Sequence, residues 1–201
     1  MPLDDISKKE LFKLELIGSI FTIITGTLLH FAYDWSQKAV WSILFGAVNE
    51  SVWEHVKIFT LPYIVWSIIE IAKVRVPIRK FVVSKTVGLY FLIIITILFF
   101  YIYSGILGKN ILLVDIISII IWVFSAHFIS YKLVTSNLDL NQWFTISCFL
   151  ILLFIAMFFT FTVNPPQIDL FRDPITGLYG IIPKSYDCGA IFLENYFTYI
   201  K

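Results

Sequence analysis

Charge is scarce in this chain: only 14% of its 201 residues are Asp, Glu, Lys or Arg. Soluble domains carry about 25%, so a solvated globular surface is excluded. The 15 basic and 14 acidic residues nearly cancel, to a formal +1, which leaves no basic field for nucleic acid. Cysteine is almost missing. Cys148 lies in an apolar run and Cys188 near the C-terminus, giving neither a disulfide framework nor a CxxC metal motif. Histidine occurs three times, with no HExxH pair. The lack of an internal repeat argues against an inverted-repeat transporter within one chain. A cleavable leader is not expected either. Asp4, Asp5, Lys8, Lys9 and Glu10 precede an apolar run too long for an h-region, so that run is predicted to remain as an anchor.

What is abundant is apolar and aromatic, at 59% and 18%. Runs of about twenty apolar residues match a hydrocarbon core of roughly 30 Å. The fold class expected is an all-α membrane protein, a bundle of about five transmembrane helices with a polar second helix at its centre. Leu14 to Tyr33 is the first span, with Thr22, Gly26 and His30 on one face at i,i+4 spacing. The second segment, Ala39 to Ala72, is too long for one upright span, at 1.5 Å per residue. Tilt, a kink at Pro62 or a projecting end is expected to absorb the excess. The third span runs from Val82 or Val87 to Tyr103, the fourth from Ile111 to Tyr131 and the fifth from Trp143 to Val163.

Lys73, Arg75, Arg79, Lys80 and Lys85 form the strongest basic cluster, and with Lys8, Lys9 and Lys13 they mark the cytoplasmic side. That orientation puts the N-terminus in the cytoplasm and the C-terminus outside, in a cell membrane of bacterial inner-membrane type. Residues 1–163 are assigned to the helical bundle. Residues 164–201 begin with Pro165-Pro166, which ends the helix. They are assigned to an extracytoplasmic cap or to an interfacial tail anchored by Tyr179, Tyr186, Phe192, Tyr196 and Tyr199.

The chain is organised around Gly46-Ala-Val-Asn49-Glu50-Ser51-Val-Trp53-Glu54-His55-Val-Lys57. Six polar or ionisable groups fall within nine positions of an otherwise apolar segment. Ionisable groups at bilayer depth cost at least about 2.5–3.5 kcal/mol each, which makes this stretch a functional-site hypothesis. Read as a continuous helix, Gly46, Glu50, Glu54 and Lys57 form one stripe, flanked by Asn49 and Trp53 on one side and Ser51 and His55 on the other. A helix polar on most sides belongs inside the bundle. Glu50 and Glu54 are then placed to share a cation or a proton. The bland alternative is a Glu54–Lys57 pair, with Asn and Ser hydrogen bonds joining helices.

His30, one turn from the outer end of its span, and Asp115, likewise in the fourth, are expected to converge with Asn49, Glu50 and His55 beneath the C-terminal segment. Imidazole plus carboxylate suits zinc or another divalent ion, with His30, Glu50, His55 and Asp115 as ligands. Glu50, Glu54 and His55 are the catalytic candidates, and Asn49, Ser51, Trp53, Lys57 and Asp173 are assigned to lining the site. His127, near the inner end of its span, is read as a hydrogen bond between helices.

Two resemblances bear on these residues. Ser51-x-x-x-His55 resembles the Ser/His spacing of the membrane zinc hydrolases that include alkaline ceramidases and progestin/adiponectin-type receptors. Those proteins also have seven helices and a second histidine pair, neither found here. A closer resemblance is to a family of uncharacterised small bacterial multi-pass membrane proteins. It is carried by Gly46-x-x-Asn49-Glu50-Ser51-x-Trp53-Glu54-His55 and by Leu170-Phe171-x-Asp173-Pro174-x-x-Gly177-x-Tyr179-Gly180-Ile181. It implies a five-helix membrane protein whose second helix and outer tail matter together, and it brings no activity.

Three readings follow. One is an intramembrane site for metal-assisted hydrolysis or group transfer on a lipid-like or small-molecule substrate. Another is a proton- or cation-coupled carrier, which at this size would act as a homo-oligomer. The third is a non-catalytic partner in a membrane assembly.

Overall fold

A computed structural model of the protein describes residues 4–182. Tyr186, Phe192, Tyr196, Tyr199 and Cys188 of the expected tail lie outside the described residues. Six α-helices follow in order: α1 (Asp5–Trp35), α2 (Val40–Phe45), α3 (Val52–Ile71), α4 (Ile78–Leu107), α5 (Leu112–Thr135) and α6 (Phe144–Val163). Short 3-10 turns at Asn141–Trp143 and Asp169–Phe171 flank α6. The described residues contain no strand, only an antiparallel bridge between Arg172 and Tyr179.

Among the described residues, four stretches are long and apolar enough to cross a membrane: Ile6–Trp35, Ile78–Leu107, Leu112–Thr135 and Asn141–Val163. Their outward faces carry apolar side chains such as Ile24, Leu98, Ile117 and Leu152, which a lipid environment accommodates. Local signals set the ends. Asp4 caps α1 by accepting the Ser7 N–H at 2.9 Å, and that hydrogen bonding holds its carboxyl below the usual carboxylate range. Pro77 precedes α4 and Gly108 closes it in the left-handed conformation, at φ 69°.

The expected second segment is two pieces. α2 stops at Phe45, residues 46–51 are not helical, and α3 restarts at Val52. The excess length of Ala39 to Ala72 is therefore absorbed by a break at the polar stretch, while Pro62 lies inside α3. The break has a steric and a capping cause. Gly46 is pressed so closely that an added Cβ would lie 2.9 Å from the Ser42 carbonyl oxygen and 3.0 Å from that of Leu29. Ser51 then caps α3, its Oγ accepting the Glu54 N–H at 3.4 Å.

α3 is the buried element. Trp53, Glu54, Val56, Lys57, Ile58 and Phe59 are all enclosed, as are Tyr63, Trp66 and Glu70 further on. α1 and α4 pack along it, and α6 reaches it through Phe154, 6.3 Å from Trp53 between ring centroids. Glycines permit the approach. A Cβ at Gly18 would fall 2.3 Å from the Trp66 ring, and one at Gly88 would fall 2.2 Å from the Tyr63 hydroxyl. Small residues at helix contacts are what lets helices pack in lipid, where no hydrophobic force drives them together.

After α6 the chain folds back over the α3 N-terminus. Phe171 is buried 5.2 Å from the Trp53 ring and 5.1 Å from Phe161. Asp173 ties the turn behind it, accepting the Ile175 N–H at 2.7 Å and the Thr176 N–H at 3.2 Å.

Candidate functional site

The break between α2 and α3 exposes backbone groups that a helix would have satisfied, and a carbonyl of α1 together with nearby side chains takes them up. The Ala47 N–H reaches the Leu29 carbonyl at 3.3 Å. The Val48 N–H donates to Glu54 Oε2 at 3.0 Å. Asn49 accepts the Ser51 N–H at 2.8 Å through its Oδ1, while its Nδ2 donates to the Gly180 carbonyl at 2.9 Å. Asn49 thus fastens the returning C-terminal segment to the start of α3.

This wiring separates the two glutamates that a continuous helix would have stacked. Glu54 turns inward, 2% exposed, with Oε2 2.7 Å from Lys57 Nζ. Lys57 also donates to Thr162 Oγ1 at 3.2 Å, and its ammonium lies 5.7 Å from the centre of the Phe158 ring. Glu54 and Lys57 therefore neutralise one another and hold the break against α6. Glu50 lies on the non-helical backbone and turns to the histidines instead.

Glu50 Oε2 is 3.6 Å from His55 Nε2 and 3.9 Å from His30 Nε2, and the two imidazole centroids are 5.1 Å apart. One ligand atom from each of His30, Glu50 and His55 falls within 4.8 Å of the others. Three separate segments supply them: α1, the break and the first turn of α3. His55 has its orientation set by the backbone, since Nδ1 lies 2.9 Å from the Ser51 carbonyl. A carbonyl only accepts, so Nδ1 donates to it, and Nε2 is the ring atom that faces Glu50. At 3.6 Å the two side chains stand beyond hydrogen-bonding distance. Ligands about 2.0–2.1 Å from a tetrahedral ion lie roughly 3.3–3.4 Å from one another, so the two glutamate–histidine separations, 3.6 and 3.9 Å, are wider than a closed tetrahedral site by a few tenths of an ångström.

The remaining sequence candidates lie elsewhere. Asp115 is not in the cluster; it accepts a hydrogen bond from the Tyr103 hydroxyl, which in turn accepts the Ile111 N–H at 3.2 Å. That arrangement ties the C-terminal end of α4 to the N-terminal end of α5. Trp53 is packed among Phe154, Phe161 and Phe171, and Asp173 is enclosed in its own turn. Ser51 acts through its backbone and as a helix cap.

A second polar constellation lies toward the other end of the bundle, and sequence reasoning missed most of it. Lys85 Nζ is 2.6 Å from Glu15 Oε2 and pairs with Glu70 as well. His127 Nδ1 is 2.7 Å from the same Glu15 oxygen, while its Nε2 lies 3.3 Å from Thr22 Oγ1. Glu15, Glu70, Lys85 and His127 come from four helices and are at most 5% exposed. The sequence groups Lys85 with the basic cluster at the cytoplasmic side, but α4 begins at Ile78, so Lys85 lies two turns inside that helix. His127 does bridge helices, as read from sequence, and it does so within a charged network. The available signal was a single acidic residue inside an apolar run, Leu14-Glu15-Leu16 and Ile69-Glu70-Ile71.

No curated protein and no solved structure matches the chain. The model of a family of unknown function, DUF6512, matches residues 1–181, and the chain belongs to that family.

Proposed function

For this member of a family of unknown function, we propose an intramembrane metal site, with zinc the foremost occupant, formed by His30, Glu50 and His55. The observation that carries the reading is the convergence of three ligand atoms within 4.8 Å, from three segments of the chain. The Ser51 carbonyl supports it by orienting His55, in the way outer-shell acceptors orient metal-binding imidazoles. Two imidazoles and one carboxylate are a ligand set found in hydrolytic zinc sites, and three protein ligands leave a fourth position for water. A divalent ion there would supply a nucleophilic water near neutral pH or polarise a carbonyl or phosphoryl group. The reaction class we assign is hydrolysis or group transfer on a lipid-like substrate.

The site belongs to the outer half in this reading. Lys8, Lys9, Lys13, Lys73, Arg75 and Arg79 gather at the opposite end of the bundle, consistent with a cytoplasmic N-terminus in a cell membrane. Elemental analysis of detergent-purified protein tests the proposal. We expect about one zinc, manganese or iron per chain, lost in His30→Ala, Glu50→Gln and His55→Ala. Metal-free wild-type protein after zinc loading, or variants that keep the metal, would overturn it.

A second reading has an observation of its own. The Glu15–Lys85–Glu70–His127 network could exchange a proton within the membrane, as a proton-coupled carrier requires. Proton uptake by reconstituted vesicles, abolished by Glu15→Gln but unaffected by His30→Ala, would favour the carrier over the metal enzyme.

A further inference from the structure

One imidazole in the buried charged cluster has a partner suited to either of its protonation states. His127 Nδ1 lies 2.7 Å from Glu15 Oε2, and the same oxygen accepts from Lys85 Nζ at 2.6 Å. An ionised carboxylate only accepts, so Nδ1 donates to it. On the other side of the ring, Nε2 lies 3.3 Å from Thr22 Oγ1. A hydroxyl both donates and accepts. It gives its hydrogen to a bare Nε2, or turns and receives one from a protonated Nε2, and no heavy atom has to move. The ring itself is held in place. It meets the Tyr63 ring edge to face, 4.7 Å between centroids. Its Cε1 and the Trp66 ring both crowd Gly18, at 2.7 Å and 2.3 Å from where a Cβ would stand.

The charges around this ring do not balance without it. The charged and titratable groups that surround it are Glu15 from α1, Glu70 and Tyr63 from α3 and Lys85 from α4. Lys85 is one ammonium against two buried carboxylates, Glu15 and Glu70. With a neutral imidazole the cluster carries one negative charge, and a charge without a counter-charge is costly away from water. An imidazolium cancels it. Glu70 is the competing position for a proton. Its Oε1 has no hydrogen-bond partner among the described residues, so a hydroxyl there would be left without an acceptor. A groove of about 370 Å³ between α1 and α5 reaches both Glu15 and His127, past Tyr131, Ser125 and Ser19, which gives a proton a route from the surface of the bundle.

We propose that His127 is a reversible proton-binding site: Nε2 takes up one proton, Thr22 turns its hydroxyl to accept it, and the Glu15–Lys85–Glu70 cluster becomes neutral. The site lies in the network of the second reading above, but binding at equilibrium needs no transport. A protein whose ring takes up a proton, yet carries none into vesicles, would sink the carrier and leave this site standing. The His30–Glu50–His55 cluster has no part in it.

The test is nuclear magnetic resonance of the full chain in detergent, isotopically labelled in its histidine rings and titrated with acid. His127→Gln identifies the resonances of this ring by their loss. The ring is expected to pass from one protonated nitrogen to two, as a single-proton titration, while the fold persists. Thr22→Val keeps the side-chain shape and removes the hydroxyl. It should weaken proton binding about fivefold, a fall of about 0.7 pH unit in the midpoint, because the charged ring loses the stronger of the two hydrogen bonds. Glu70→Gln removes the excess negative charge and should weaken binding by at least about tenfold. Glu50→Gln, in the other cluster, should leave the His127 midpoint where it is. A His127 ring that keeps one protonated nitrogen down to the pH at which the fold is lost would overturn the proposal. So would a midpoint unmoved by either Thr22→Val or Glu70→Gln.

Discussion

Replacing Lys85 with Met removes the cation shared by two buried carboxylates and keeps most of the side-chain volume. Lys85 is 2.6 Å from Glu15 Oε2, contacts Glu70 as well, and lies 5.4 Å and 5.3 Å from the Tyr63 and Phe81 ring centres. Glu15 keeps His127 as a partner at 2.7 Å, but Glu70 has no other cation among its described ion pairs. Breaking a buried pair by removing one partner costs about 3–5 kcal/mol, because the charge left behind is uncompensated. At about 2–4 °C per kcal/mol for a chain of this size, Lys85→Met should lower the apparent melting temperature by roughly 6–20 °C. The assay is tryptophan fluorescence during heating of detergent-solubilised protein at neutral pH. Glu70→Gln added to Lys85→Met removes the orphaned charge, and the double variant should recover at least half of the loss. A Lys85→Met protein that melts within about 1 °C of wild type would refute the reasoning. So would a double variant showing the sum of the two single losses, since coupled partners must be non-additive.

Glu54→Gln should destabilise the protein by about 3 kcal/mol, by leaving Lys57 buried without its carboxylate. In contrast to Glu50→Gln it should keep its metal, so elemental analysis beside a melting curve separates positioning from ligation. Gly88→Leu should abolish folded, monodisperse protein on size exclusion, because even a Cβ would lie 2.2 Å from the Tyr63 hydroxyl and 2.8 Å from the Ala126 carbonyl oxygen. Asn49→Ala removes the hydrogen bonds to Gly180 and Ser51. At about 1 kcal/mol for each, faster proteolysis of the segment after Val163 is expected, with little change in global melting. Metal content should fall as pH is lowered, since protons compete with the ion for imidazole and carboxylate; metal that stays bound at pH 4 would argue against these ligands.

The largest departure from the sequence reading concerns the second segment. Apolar residues run on both sides of Asn49–Lys57, so the sequence reads as one continuous helix whose excess length is absorbed by tilt, a kink at Pro62 or a projecting end, with Glu50 and Glu54 on a common stripe. The markers of a break were nonetheless present. Ser51-x-x-Glu54 has the spacing of a helix-start signature ahead of an apolar run, and Gly46 stands where α2 stops. Because the backbone unwinds, Glu50 and Glu54 part company, one to the histidines and the other to Lys57. Asp115 failed to join the cluster for a related reason: the Tyr103 hydroxyl, one helix away, is a nearer partner.

The apolar runs by themselves determined that this is a helical membrane protein, where its long helices lie, and that the polar stretch near Asn49 belongs in its interior. The helix ends came from the structure: α1 starts at Asp5 and α4 runs Ile78–Leu107, beyond the spans that the apolar runs mark from Leu14 and from Val82 or Val87 to Tyr103. Only the tertiary structure decided which polar groups meet. Glu15, Glu70, Lys85 and His127 look unrelated along the chain. In a soluble helix the apolar stripe tells which face turns inward. In lipid both faces are apolar, so the rotation and relative depth of each helix are set by close packing at Gly18, Gly26 and Gly88 and by the pairing of buried charges, and neither can be read from one strand of sequence.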